Sequence, residues 1–289
     1  MFTDNPTTPA QLEVLLDVVY AMRQRKANAE GLRQLIQPRG LPGLTENSRQ
    51  FAQHLSAAQE LGLVQADEHD DIRLTYTVRG DHQPRKVIVA AFDQVALSDA
   101  RVEKWAGRFY AYLIVHEEAL PRTTGEVDLL ANQFMSDLAP TVDKGNPMNL
   151  DKYRALMRWY PYVGLGWLDP AEVFVPDPTE RVRRSLRTIW EKDRRLEADE
   201  FLERLGRACP ELDGGALFNE ATAGVYAASA RQCTQALATA LRRLHDEGDL
   251  VLRCPADSKG WALDRAGSGP VPGEASNRVD SVERARPRE

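Results

Sequence analysis

Apolar positions along this chain switch between a helical and a strand period, and the switch runs in the same order near both ends. Leu12, Leu15, Leu16, Val19 and Met22 or Arg23 recur every three or four residues, so residues 11–25 are predicted as an amphipathic helix. A short second helix spans 28–36 and stops where Pro38, Gly40, Pro42 and Gly43 forbid continuation. Thr45 or Asn47 can cap a third helix that runs to Leu61, with Gly62 as its left-handed terminator. Leu63-Val64 and residues 72–78 then read as two strands around the acidic turn Asp67-Glu68-His69-Asp70-Asp71. Three helices followed by a hairpin is the order of a winged helix.

The same order recurs from about residue 196. Phe201, Leu202, Leu205 and Cys209 mark a helix ended by Pro210, and Asp213-Gly214-Gly215 is a turn. Residues 216–224 fit a second helix. Ser229 is the expected cap of a third, running to Glu247 with Cys233, Leu237, Leu241 and Leu244 inward. Residues 250–253 and 261–263 are expected to pair as a hairpin around 255–260. The middle is mainly helical: 105–120 and 150–160 read as helices, the latter stopped by Pro161, and 85–92 as strand or helix start. Gly164-Leu165-Gly166-Trp167 with 173–179 reads as a degenerate third wing. The expected fold class is therefore mainly α with small β-hairpins: tandem winged helix-turn-helix modules joined by a helical middle region. The expected domains are an N-terminal winged-helix module over 1–83, the middle over 84–195, a C-terminal module over 196–264, and a disordered Gly/Pro/Ser/Arg-rich tail over 265–289.

Composition narrows the function. With 43% hydrophobic and 28% charged residues the chain has an ordinary globular profile. No apolar run approaches the roughly 18 residues of a membrane span, and Met1 to Ala10 has no signal-peptide character. Cys209, Cys233 and Cys254 show no metal-ligand spacing and read as buried thiols of a reduced, cytoplasmic protein. No phosphate loop, GxSxG elbow or zinc-ligand pattern occurs, so no catalytic residue, metal or cofactor is expected. Asp177 reads as a helix cap rather than a nuclease acid.

The net charge of -6 does not announce nucleic acid, so local distribution must decide. If the last long helix starts at Ser229, Arg231, Gln235, Ala238 and Arg242 form one exposed stripe flanked by Gln232 and Arg243. Arginine and glutamine can hydrogen-bond base edges, and Arg253 and Lys259 on the hairpin can meet phosphates. Residues 180–195 hold seven bases against three acids, with Arg183, Arg184 and Arg187 as further DNA-contact candidates on a helix whose Val182, Leu186 and Ile189 face inward. A solvated face and a salt-bridged linker helix are the plainer alternatives for these two surfaces. In the first module Arg49, Gln53, Ser56 and Glu60, with Gln50 and His54 beside them, form the exposed stripe of the third helix. Its four-acid turn repels phosphate and points to a protein partner or to dimerisation.

The runs Asn146-Pro147-Met148-Asn149, Lys152-Tyr153-Arg154 to Trp159, Gly164-Leu165-Gly166-Trp167 and Phe174-Val175-Pro176-Asp177-Pro178-Thr179, with Glu200-Phe201-Leu202 and 210–215, resemble DpdG-type proteins. The resemblance spans roughly residues 85 to 265. It implies an accessory role in bacterial 7-deazaguanine DNA modification and phage restriction, and carries over no catalytic residue. The architecture is also similar to kite proteins, tandem winged-helix subunits of SMC complexes. The combined expectation is a non-catalytic adaptor that binds protein subunits of a defence or DNA-modification complex and contacts duplex DNA, as a possible homodimer with no membrane association. A kite-like subunit and a stand-alone transcription regulator are the alternatives, and an unrecognised nuclease a distant third.

Overall fold

The computed structural model describes residues 7–23, 28–38, 50–98, 105–116, 124–138, 147–222, 231–263 and 269–285. The protein is mainly helical with small antiparallel strand pairs, and its chain divides into two compact units.

The first unit comprises the residues up to Ala96 together with Asn149–Tyr162. It opens with α1 (Pro9–Ala21), α2 (Ala29–Ile36) and α3 (Gln50–Glu60), followed by the hairpin β1 (Val64–Ala66) and β2 (Ile72–Leu74). Helix α1 begins where Thr8 caps it. The Thr8 hydroxyl accepts from the Gln11 backbone, and the Gln11 side chain accepts from the Thr8 N–H at 2.8 Å. This reciprocal capping box satisfies two amides that a free helix end leaves unpaired. Leu12, Leu15, Leu16 and Val19 form the buried stripe of α1, against Leu32 of α2 and Phe51, Ala57 and Ala58 of α3. Gly62, at φ +68°, ends α3 in the left-handed conformation read from the sequence. The cap expected at Thr45 or Asn47 lies outside the described residues. Strands β1 and β2 pair with Val64 opposite Leu74 and Ala66 opposite Ile72, and Asn28 bridges to Asp71.

Residues 85–92, which read as strand or helix start, fall in α4 (Pro84–Ala91) and the π-helical turn Phe92–Ala96 into which it passes. Most of α7 (Leu150–Val163) belongs to this unit. Its Trp159 stacks on Phe92 at 5.1 Å and donates its indole N–H to the Thr7 carbonyl at 2.9 Å. Pro161 does not stop α7 as expected, because it lies in the last turn. There it removes few bonds, and Tyr162 beyond it is anchored by a 2.5 Å bond to Glu13.

In the second unit, α5 (Trp105–Val115) is buried along its described length. A Cβ on Gly107 would stand 2.3 Å from Leu217 Cδ1, so a side chain there would force Leu217 to shift where α5 meets α10 (Ala216–Thr222). Residues 117–120, expected to continue α5, lie outside the described residues. Phe134 of α6 (Thr124–Asp137) fills the space between Trp105, Phe109 and Tyr112. The hairpin β3 (Gly166–Leu168) and β4 (Phe174–Pro176) leads into α8 (Thr179–Trp190), β5 (Arg195–Glu197) and α9 (Ala198–Ala208). After α10 come α11 (Gln235–Glu247), β6 (Leu250–Arg253), β7 (Trp261–Ala262), β8 (Arg278–Val279) and β9 (Ser281–Arg284).

Two expectations fail here for one reason. Strand β6 does not pair with the 261–263 segment, and the residues after 265 are not an unstructured tail throughout. Strand β9 lies between β5 and β6, with Val282 opposite both Leu196 and Leu252, while β7 pairs with β8. Ser281 and Val282 are fully buried, so β9 supplies apolar surface and ladder bonds that residues 261–263 would otherwise have to provide. Composition alone hid this strand, because it is short and sits among arginines. We expect Val282→Ala to destabilise the second unit by about 2 kcal/mol through lost burial and the cavity left behind. Urea unfolding followed by tryptophan fluorescence reads it, and an unchanged midpoint would place β9 outside the core.

Candidate nucleic-acid interface

Helix α8 was the clearest basic run in the sequence, and the structure divides its arginines into different roles. Arg181 is interior. Its Nε donates to Glu211 Oε1 at 2.8 Å, one Nη to Ser185 Oγ at 2.8 Å and the other to the Ala208 carbonyl at 2.8 Å. The two side chains are 5% and 0% exposed. Burying a charge is costly unless it is paired and hydrogen-bonded, and Arg181 is both. The pair ties α8 to the C-terminal end of α9, where the Cys209 thiol also reaches Ser185 Oγ at 3.2 Å. Arg183 is half-buried and engages Glu180, Glu247 and, at 2.7 Å, Asp249. Arg184 and Arg187 are exposed, and among the described residues the Arg187 side chain has no hydrogen bond or ion pair.

The stripe expected on the last long helix does not form. Ser229 lies outside the described residues. Helix α11 starts at Gln235, with Thr234 as its cap accepting from Leu237 N at 3.3 Å. Asp213 sets this start by accepting the Thr234 amide at 2.6 Å and the Thr234 hydroxyl at 2.8 Å. Arg231 therefore precedes the helix, in a left-handed conformation at φ +47°, with its guanidinium on Asp199 at 2.9 Å. Gln232 bridges to Ala262. Ala238 is 0% exposed, so it cannot join Arg231, Gln235 and Arg242 on a surface.

On α11 itself, Gln235 is exposed and reaches Thr239. Arg242 donates to the Gly269 carbonyl at 2.9 Å and the Pro270 carbonyl at 3.4 Å. His245 Nδ1 accepts from Leu252 N at 3.1 Å, leaving Nε2 to donate to the Pro272 carbonyl at 3.0 Å. The 269–272 segment thus runs along the face of α11 that carries Arg242. Arg243 pairs with Asp177 at 2.5 Å. Asp177 in turn accepts from the Thr179 amide and hydroxyl, the capping role expected of it. Arg253 holds Glu274 at 3.4 Å and Glu283 at 2.9 Å, and this hydrogen bond pulls the Glu283 carboxyl below its ordinary range. Lys259 is exposed at the turn before β7.

The structure also brings together two residues that no sequence pattern joins. The Arg284 amide donates to the Arg194 carbonyl at 2.8 Å, one step beyond the Arg195–Glu283 pair. Arg284 had been assigned to the tail. Val279 and Val282 stand three positions apart, so the sequence carries no alternating strand period there.

In the first unit, Asp67 accepts from the His69 and Asp71 amides and meets Arg73 at 2.5 Å, so the acidic turn is locally closed. His54 is not beside an exposed stripe but 6% exposed, within 3.2 Å of Thr7, and burial lowers its pKa. Arg49 lies outside the described residues. Among the described residues no group of His, Cys, Asp and Glu is placed to hold a metal ion, and no helix is long and apolar enough to cross a membrane.

A family model described as DpdG-like matches residues 2–258, which extends the resemblance read over 85 to 265 through the first helices. No curated protein and no solved structure matches the chain.

Two outcomes test this electrostatic framework. Glu211→Ala leaves Arg181 buried without its carboxylate and is expected to cost about 3–5 kcal/mol, whereas Arg181→Met with Glu211→Leu recovers most of that loss. Thermal unfolding of both variants checks it; equal losses would mean that packing, not charge, sets the cost. Burial pushes the Asp213 carboxyl up to about 6, against the hydrogen bonds from Thr234 that favour its charged form. Its folded pKa exceeds its unfolded one, so the stability it contributes is present at low pH and lost as pH rises through about 6. Relative to Asp213→Asn, the wild type should lose about 2–3 kcal/mol between pH 4 and pH 7. Urea midpoints across that range read the difference, and parallel profiles would contradict it.

Proposed function

The chain belongs to the DpdG-like family, and we propose that it serves the Dpd defence and DNA-modification system as a non-catalytic adaptor that holds a protein partner and contacts duplex DNA. The observation that carries this reading, beside the family, is the sheet order β5-β9-β6. With α8, β5, α9 and α11 before β6 and β9, a first strand pairs across the last one, and a long connection separates the two final strands. That order supports reading the second unit as a winged helix with α11 as its recognition helix. The three helices, the β1–β2 hairpin and the Asn28–Asp71 bridge of the first unit support a second such module.

The two modules serve different partners. In the first, a closed acidic turn stands where a wing would meet phosphate, so this module takes a protein. In the second, the excess of arginine lies on α8 and the strands that follow, and this module takes DNA. An adaptor of this kind binds DNA through its backbone, without choosing a sequence. That separates it from a stand-alone regulator, which would select one sequence from a pool of genomic fragments.

Fluorescence anisotropy of a labelled duplex across a salt series tests the reading. Binding should weaken steeply as salt rises, and the duplex should remain uncleaved when Mg²⁺ or Mn²⁺ is added. Absence of binding at low salt would overturn the DNA part, and metal-dependent cleavage would overturn the non-catalytic part.

A further inference from the structure

We propose that the open end of the β5-β9-β6 sheet, at Arg194 and Arg284, is the site where this protein holds the phosphodiester backbone of duplex DNA. The proposal rests on the DNA-contact reading above and places the contact away from the expected recognition helix. The register of β5 and β9 pairs Arg195 with Glu283, so Arg194 stands directly opposite Arg284, and their backbones are hydrogen-bonded at 2.8 Å. Residues opposite one another on adjacent strands have Cβ atoms about 5 Å apart, and like charges in that position are destabilising. An antiparallel sheet usually places an opposite charge there, as this one does one step away with Arg195 and Glu283, whose charged atoms lie 4.0 Å apart.

Among the described residues, neither Arg194 nor Arg284 has a carboxylate partner that relieves the repulsion. Asp193 is taken by Arg204 at 2.8 Å, Glu283 by Arg253 at 2.9 Å and Asp249 by Arg183 at 2.7 Å. Among the described residues, the side chains of Arg194, Arg284 and the nearby Lys192 form no hydrogen bond or ion pair, and all three are exposed. Several of its other arginines, Arg181, Arg231 and Arg243 among them, pair with carboxylates, although exposed Arg187 does not. Two adjacent guanidiniums left without one form a receptor for an anion that bridges them. Arginine suits phosphate because its planar fork can donate two parallel hydrogen bonds to the phosphate oxygens. A repeating anion, such as the phosphates of a duplex, satisfies both arginines and Lys192 together. The Arg242 face of α11, by contrast, is occupied by the carbonyls of residues 269, 270 and 272. Arg284 lies beyond residues 2–258, which the family model matches.

The test is anisotropy of a labelled duplex with the full chain, comparing wild type, Arg194→Ala/Arg284→Ala, Arg194→Lys/Arg284→Lys and Arg243→Ala across a salt series. The alanine pair should bind more weakly and flatten the slope of log affinity against log salt by about two. The lysine pair should keep the slope, and Arg243→Ala should behave as wild type. Because the alanine pair removes a repulsion, its thermal midpoint should equal or exceed that of the wild type, which separates lost contact from lost fold. If the duplex binds wild type and alanine pair with the same slope, the site is overturned and the DNA reading stands. If no form binds duplex at low salt, site and reading fall together. If polyglutamate of matched charge competes as well as unlabelled duplex, the surface takes acidic protein and the phosphate assignment is wrong.

Discussion

The buried ion pair between Arg181 and Glu211 fixes the second unit. One guanidinium spans the Glu211 carboxylate, Ser185 and the Ala208 carbonyl, so α8, the end of α9 and the turn after Pro210 are held at one point. The same turn carries Asp213, which holds Thr234 and thereby sets where α11 begins. The position of α11 decides whether its cations share a face. A buried pair of this kind adds little net stability over apolar residues of the same shape, but breaking it is expensive, and it admits few alternative packings. Its value here is to fix register.

From that framework follows the sorting of charge. Arginines near the centre of the unit are consumed by it: Arg183 by three carboxylates, Arg243 by Asp177, Arg253 by Glu274 and Glu283. Exposed pairs of this sort contribute little individually. Their collective effect is to neutralise much of the basic surface that the sequence offers. Where the chain leaves α8 and where β9 ends, two arginines on opposed strands stay uncompensated, and it is there that a polyanion has most to gain.

Much of the fold was legible because hydrophobic period is a local signal. The stripe Leu12, Leu15, Leu16, Val19 placed α1, and Gly62 marked a helix end that the structure confirms at φ +68°. The failures involve long-range partners. Strand β9 pairs with residues roughly thirty positions away on one side and more than eighty on the other, and nothing local in Ser281–Arg284 declares it. The start of α11 was misplaced because Ser229 and Thr234 are both good caps, and only Asp213 distinguishes them. The candidate interface suffered most. Whether an arginine is available depends on carboxylates brought to it by folding, as Arg181 and Arg194 show from opposite sides.

Hydrogen–deuterium exchange of the full chain, with and without duplex DNA at low salt, tests the central claim most directly, because it locates contact without altering a residue. The account predicts slower exchange at residues 192–197 and 281–285 on adding duplex, with α11 and the β1–β2 hairpin unchanged. Protection confined to α11 and residues 255–260 would contradict it and restore the recognition helix as the DNA-contacting surface.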